Sequence, residues 1–205
     1  HDICLKTDIT HDILKEKSIQ AVVLATPHSQ HSDQVIAAAK AGKHVFVEKP
    51  FTLSLEDGLA AVKTCRTEKV NLAIGFNRRF LPAYNELKAL LNDGRLGTPL
   101  HIEGNFSGSF GNNYTKDMWR GSITENPAGG MGAMGIHILD LMIDLLGKVK
   151  TVTTNSSRRI VKTPVHDTTT TLIEFNSGAT ANLTTMTATS STWKLHLYGS
   201  RSEEH

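Results

Sequence analysis

The sequence predicts an α/β chain in two parts. The first is the later portion of a doubly wound parallel sheet, and the second is an α+β domain with an open, mostly antiparallel sheet. Three observations predict this. Short, unbroken apolar runs alternate with helical patterns up to about residue 97, as in parallel strands covered on both faces. The character then changes at Gly97-Thr98-Pro99. From Thr151 to Thr192 there are 14 threonines, and β-branched residues suit a pleated surface. The expected division is therefore 1–97 and 98–205.

Each element has its own signal. Ala21–Ala25 is the first strand, closed by Thr26-Pro27, and a helix then runs to Ala41 with Gly42 as its stop. Val45-Phe46-Val47 is the second strand, ended by Glu48-Lys49-Pro50. Ser54 and Asp57 have capping-box spacing and open a helix whose apolar positions repeat at Leu55, Leu59 and Val62. Leu72-Ala73-Ile74 is the third strand. The helix after it places Phe80, Tyr84, Leu87 and Leu91 on one face and tolerates Pro82 in its first turn. Beyond Pro99 the pattern reads strand, glycine-bearing loop, a helix from Ile136 to Leu146 stopped by Gly147, then strands. Asn176-Ser177-Gly178 marks a hairpin between two of them.

Composition removes several classes. The chain has 205 residues, and 22 basic against 20 acidic residues give a net charge of +2, with no long Lys/Arg block to bind nucleic acid. No apolar run reaches the roughly 18 residues of a membrane span. Cys4 and Cys65 form no CxxC and no disulfide framework, which fits a reducing, cytoplasmic setting.

Two constellations could carry chemistry. Ligands of parallel sheets bind outside the strand carboxyl ends, where Thr26-Pro27, Glu48-Lys49-Pro50 and Gly75-Phe76-Asn77 all fall. Lys49 there could donate to a substrate oxygen, and partial desolvation would lower its pKa toward the working range. The bland alternative is a solvated lysine after a strand. The second constellation is His137, Asp140 and Asp144, whose spacing places them on one helical face beyond a glycine-rich stretch. A histidine beside two carboxylates could exchange protons. It could equally belong to a solvated polar face, with Leu139, Met142, Ile143 and Leu146 buried opposite. No HExxH pattern supports zinc, and no metal is expected. His28 and His31 read as loop or helix caps, and Trp119 as a packing residue.

These pieces, in this order, resemble the Gfo/Idh/MocA family of NAD(P)-dependent oxidoreductases. The segments that carry the resemblance are AVVLATPHSQH (21–31), AGKHVFVEKP (41–50), AIGFNRRF (73–80), WRG (119–121) and GGMGAMGIHILD (129–140). The resemblance implies a Rossmann domain followed by a substrate-binding and oligomerisation domain. Thr26, Pro27, His28, His31, Glu48, Lys49, Asn77 and Arg78 would contact NAD or NADP. Lys49 would be the catalytic lysine, and His137 would contact the reacting hydroxyl or carbonyl. Asp140 would position substrate or histidine, and Tyr114, Trp119 and Arg120 would lie in the substrate loop, Gly104–Glu125. Typical members transfer hydride between a nicotinamide and a sugar, cyclitol or related cyclic alcohol or ketone. The resemblance further implies a homo-oligomer formed through the second sheet.

The sequence departs from the family pattern at three places. Ala133 stands where an aspartate commonly precedes the histidine by one turn, so either Asp140 or Asp144 would substitute or Lys49 would act with His137 alone. His28 replaces a usual asparagine. No GxGxxG follows a strand before residue 21, so the pyrophosphate cradle and the residue that chooses between NAD and NADP are not readable. The expectation is a fragment lacking about two βαβ units in front, on the order of 70 residues at roughly 30 or more each, and more behind. Such a piece is expected to bind dinucleotide poorly. Ala133 keeps a second reading open, a non-catalytic, cofactor-binding regulatory relative. An NAD-dependent glycosidase on the same fold is a third.

Overall fold

The computed structural model describes residues 10–204. Cys4 and the weak apolar run that opens the chain lie outside that range. The chain divides into two compact units, one through Gly75 and one from Phe76 onward. The change in character at Gly97 is thus a turn inside the second unit rather than the domain boundary expected at 97/98. The reason is that the helix before it packs Tyr84 and Leu87 into the second core.

The first unit contains α1 (Thr10–Lys15), β1 (Ala21–Leu24), α2 (His31–Lys40), β2 (His44–Val47), α3 (Leu55–Thr67) and β3 (Leu72–Ile74). The strands are parallel in the order β1-β2-β3, and Leu24, Val47 and Ile74 stand level at their carboxyl ends. Val45 and Val47 bury one sheet face against Val35, Ala38 and Ala39 of α2 and Ala61 and Cys65 of α3. The opposite face is open among the described residues, with Val23 73% and Phe46 38% exposed. The expected cover on both faces is therefore absent from this three-stranded piece. Successive right-handed crossovers in one direction place both helices on the same side.

Ser54 caps α3, its Oγ accepting from the Asp57 backbone N–H at 3.1 Å and donating to Asp57 Oδ2 at 2.7 Å. The predicted apolar face of that helix is wrong. Leu55 and Leu59 are 79% and 61% exposed, and the helix docks through the small side chains of Ala61 and Cys65. Small residues let helix and sheet approach closely, so hydrophobicity alone misplaced the buried face. Lys43 is buried, and its ammonium donates to the carbonyls of Glu16 at 2.8 Å and Ile19 at 2.7 Å, anchoring the segment that follows α1.

The second unit contains α4 (Pro82–Asn92), β4 (Pro99–Ser107), α5 (Ile136–Leu146), β5 (Val149–Ser157), β6 (Thr168–Phe175), β7 (Thr180–Met186), β8 (Thr192–Gly199) and a short β9 (Glu203–Glu204). The sheet order is β5-β6-β7-β4-β8-β9, antiparallel throughout except for the β4–β7 pair. The hairpin forms where expected, with Gly178 at φ 89°. Phe80 precedes α4, in a short 3₁₀ turn, and is 81% exposed, so it does not share the buried face of Tyr84 and Leu87. Ile138, Leu141 and Met142 of α5 fill the core with Phe175, Leu183 and Leu197. Gly104 of β4 makes this packing close, since a Cβ there would lie 2.6 Å from Met142 Cε and collide with Ile138 Cγ2.

Candidate active site

The carboxyl ends of β1, β2 and β3 build one candidate cluster. The ladder continues past the strands: Glu48 N–H donates to Leu24 O and Gly75 N–H to Val47 O, both at 2.9 Å. The Glu48 carboxylate then lies over Gly75, where an added Cβ would come within 3.1 Å of Oε2. The Lys49 N–H reaches Glu48 Oε2 at 3.3 Å, and Lys49 itself is half-buried. A short loop in β-extended continuity, with a carboxylate at its first residue and an ammonium at its second, is thereby held at the sheet edge. Thr26 stands at the end of β1 with its hydroxyl donating to Gln34 Oε1 at 2.6 Å. Pro27 opens the 3₁₀ turn His28–Gln30.

His31 behaves differently from both expectations. It is fully buried and caps nothing, since no side-chain cap bond forms at α2. Its Nδ1 faces Pro50 O at 2.9 Å and Phe51 O at 3.3 Å, and its Nε2 faces Thr26 O at 3.0 Å. Both ring nitrogens thus face backbone carbonyls of the first unit.

The second cluster surrounds the start of α5 and is described within its own unit. Met131–Gly135 form a π-helical turn that runs into α5. Gly130, Gly132 and Gly135 reproduce GxGxxG spacing, yet they serve packing. A Cβ at Gly130 would lie 2.7 Å from Thr187 Cγ2, and one at Gly135 2.5 Å from Met131 Sδ. His137 is buried with the rings of Phe76 and Phe106 each 6.3 Å from its own. The Arg78 guanidinium sits over Phe106 at 5.5 Å, and its Nε is buried without a hydrogen-bond partner. Asn77 is exposed.

Asp140 and Asp144 do share a face with His137, but that face is largely buried and ion-paired rather than solvated. Arg79 forks onto Asp140 through Nε at 2.7 Å and Nη2 at 2.8 Å, and donates from Nη1 to Asp144 Oδ1 at 2.9 Å. Asp144 Oδ2 accepts from Tyr84 at 2.5 Å and Lys88 at 2.6 Å. Burial opposes ionisation of Asp144, but donation from Lys88 and Tyr84 and the Arg79 charge outweigh it, holding the carboxyl below the usual carboxylate range. Burial, reinforced by Asp144, pushes the Tyr84 hydroxyl well up. Of the predicted apolar side Met142 and Leu146 are buried, but Ile138 and Leu141 join them and Ile143 is exposed.

The loop after β4 begins later than predicted, because Gly104–Ser107 are strand. Tyr114 packs beside Phe110 at 5.8 Å, and burial raises its hydroxyl pKa. Trp119 and Arg120 form one 3₁₀ turn, with the guanidinium 4.2 Å over the indole. Buried Asn126 donates to Arg120 O at 3.1 Å, fixing that turn. Thr115 O and Thr163 close around Gly121, where a Cβ would lie 2.6 Å from the former and 2.9 Å from the latter's Cγ2. Thr163 belongs to the β5–β6 loop, which Asp167 organises by accepting from the N–H groups of Arg159, Ile160 and Val161 at 2.8, 2.6 and 3.1 Å.

Comparison with known proteins decides the family. The NAD-binding Rossmann-fold model of the Gfo/Idh/MocA oxidoreductases matches residues 5–76, and the family's C-terminal domain model matches residues 84–203. The chain belongs to the Gfo/Idh/MocA family. It is 33% identical over 181 residues to scyllo-inositol 2-dehydrogenase (NAD(+)) of Bacillus subtilis, covering 84% of this chain and 50% of that enzyme. It is 38% identical over 89 residues to myo-inositol 2-dehydrogenase of Thermotoga maritima, 43% of this chain and 27% of that one. The fold matches levoglucosan dehydrogenase, solved with NADH and levoglucosan, at a TM-score of 0.90 and 24% identity over 96% of this chain and 56% of that one. The chain thus spans half the length of the first of these relatives, or less.

At the sheet edge of the first unit the Glu48 carboxylate lies beside the uncharged Thr26-Pro27 turn, and glycine at position 75 leaves that carboxylate its place. Sequence reasoning missed Arg79, Phe76, Phe106 and Asp167. Arg79 had a signal, a second arginine beside Arg78 in a short turn. The two phenylalanines and Asp167 had none, because only tertiary packing reveals what they face. Among the described residues no helix is long and apolar enough to cross a membrane, and no group of three or more His, Cys, Asp or Glu side chains could hold a metal.

Proposed function

We propose that this chain serves an NAD(P)-dependent oxidoreductase that moves hydride between a nicotinamide and a hydroxyl or ketone of a sugar or cyclitol. The observation that carries the proposal is the Glu48-Lys49 loop, held at the strand carboxyl ends in the place where open parallel sheets take ligands. The inositol dehydrogenases among its relatives support the substrate class.

When bound, the nicotinamide supplies the hydride acceptor or donor. As hydride leaves a carbon, negative charge develops on the attached oxygen. Lys49 donates to that oxygen and handles its proton, and His137 provides the second polar contact in an aromatic setting that excludes water. Glu48, Thr26, Pro27 and His28 orient the dinucleotide, with Asn77 and Arg78 adding polar and cationic groups. Tyr114, Trp119 and Arg120 select the ring substrate. Asp140, locked by Arg79, positions the helix that bears His137. The second sheet, open on its polar face, pairs subunits into a homo-oligomer, and the protein acts in the cytoplasm. A parent protein sedimenting as a monomer overturns the oligomer.

The test is an assay of the complete gene product against a panel of inositols and pyranoses with NAD and NADP, wild type beside Lys49→Ala. Turnover that survives Lys49→Ala undiminished refutes the mechanism. A specific observation favours one second reading. With Ala133 in the relay position and both nearby aspartates committed to Arg79, a sensor would bind dinucleotide without turnover. Tight NADH binding with no hydride transfer across the whole panel would support the sensor.

A further inference from the structure

We propose that His31 is a positioning residue: its imidazole ties the Lys49-Pro50-Phe51 loop to the end of β1 and so fixes where the Lys49 ammonium acts. This rests on the reading of Lys49 above. The tie is made between two backbones. Nε2 lies 3.0 Å from Thr26 O, and Nδ1 lies 2.9 Å from Pro50 O and 3.3 Å from Phe51 O. Carbonyls only accept, so a ring nitrogen that carries hydrogen donates across its contact, and the ring spans the two backbones.

The Lys49–Pro50 amide has no N–H of its own to join the ladder, because proline lacks one. The loop leaves β2 after Glu48 and reaches no further sheet bond before α3. Its ties include the Glu48 ladder bond, the His31 imidazole, the packing of Phe51 on the first core and the Ser54 cap. His31 is in turn immobile, because it is fully buried at the start of α2. Thr26 is steadied through its hydroxyl by Gln34, one turn along the same helix. One helical turn thus holds both loops that flank the candidate dinucleotide edge. A side chain of similar volume without donors would leave two inward carbonyls unsatisfied, and the loop would move to hydrate them.

The experiment uses the complete gene product, wild type beside His31→Leu and His31→Gln. Three quantities are read: steady-state kinetics on the best polyol, NADH affinity by fluorescence, and amide hydrogen exchange of peptides spanning 24–31 and 48–53. His31→Leu is expected to lower kcat at least tenfold, with NADH affinity and KM changed less than threefold. Exchange should rise at least tenfold in those two peptides and remain unchanged in β7. His31→Gln keeps an amide donor and should recover part of both losses. A folded His31→Leu or His31→Gln with wild-type kcat and wild-type exchange at 48–53 overturns the proposal. If wild type turns over no substrate, the functional reading fails, and the exchange data still decide the tie. If His31→Leu does not fold, His31→Gln decides on the same readouts.

Discussion

The Glu48–Pro50 loop and the acidic face of α5 look alike as sequence, each a few charged residues beside a structural break, and they end in opposite conditions. The loop stands at a sheet edge, tied by the Glu48 N–H to Leu24 O and with the Glu48 carboxylate accepting from the Lys49 N–H. The α5 face is closed, because Arg79, Tyr84 and Lys88 fill the acceptor sites of Asp140 and Asp144. Spacing on a helix shows which residues share a side and never what faces them. The partner that decides the matter lies 61 residues upstream of Asp140.

Breaking that network sharpens the contrast most. Arg79→Leu leaves two largely buried carboxylates without their shared fork, where removing one member of a fully buried pair costs about 3–5 kcal/mol. Arg79 is 41% exposed, so the expected loss is about 2–3 kcal/mol by the same reasoning. It is measured by urea unfolding at neutral pH. Arg79→Lys should recover only part, since an ammonium cannot make the planar fork. A variant as stable as wild type would return Asp140 and Asp144 to the status of free acids.

Close packing gives the next effect. Gly104→Ala drives a methyl group into Ile138 and Met142, and overpacking of this kind costs about 1–3 kcal/mol. Differential scanning calorimetry should show a lower Tm for the second unit. An unchanged Tm would mean that α5 does not sit as close to β4 as described.

Acid should separate the two regions as well. Asp144 and Asp167 are held below the usual carboxylate range: burial raises both, Lys88, Tyr84 and Arg79 overcome it at Asp144, and the Ile160, Val161 and Arg159 N–H groups do so at Asp167. A depressed carboxylate adds stability that is present above the unfolded-state pKa and lost as pH falls through the folded-state pKa. The second unit should therefore lose stability in a window opening below about pH 4, the ordinary aspartate value, and extending lower. In Asp144→Asn the slope of stability against pH in that window should be shallower. The smallest effect belongs to the first unit: Ser54→Ala removes the α3 cap, at about 1 kcal/mol, read as a small drop in urea midpoint.

Much of the fold is legible in the sequence because its signals are local. The strand runs, Gly42 and Gly147 as helix stops, the Ser54–Asp57 box and the Asn176–Gly178 hairpin each depend on a few adjacent residues. What fails needs the partner surface. Leu55 and Leu59 advertise an apolar face, but α3 docks through Ala61 and Cys65. The domain boundary fails for the same reason, since α4 follows the last strand of the first unit yet buries Tyr84 and Leu87 in the second. In the candidate site Lys49 and His137 stand out from their local context, whereas the backbone contacts of His31 and the Arg79 fork on Asp140 need the fold.

The central claim is that Lys49 works on the substrate oxygen while Asp140 works on the fold. Single-turnover hydride transfer and thermal midpoint, measured together for Lys49→Ala and Asp140→Asn in the complete gene product, test it most directly. The account predicts about a 10²–10⁴-fold slower transfer with an unchanged midpoint for Lys49→Ala, the range of general acid–base catalysis. For Asp140→Asn it predicts transfer within about tenfold of wild type, since a positioning group makes no proton transfer itself, and a lowered midpoint. Slow transfer at an unchanged midpoint in Asp140→Asn, with near wild-type transfer in Lys49→Ala, would contradict it.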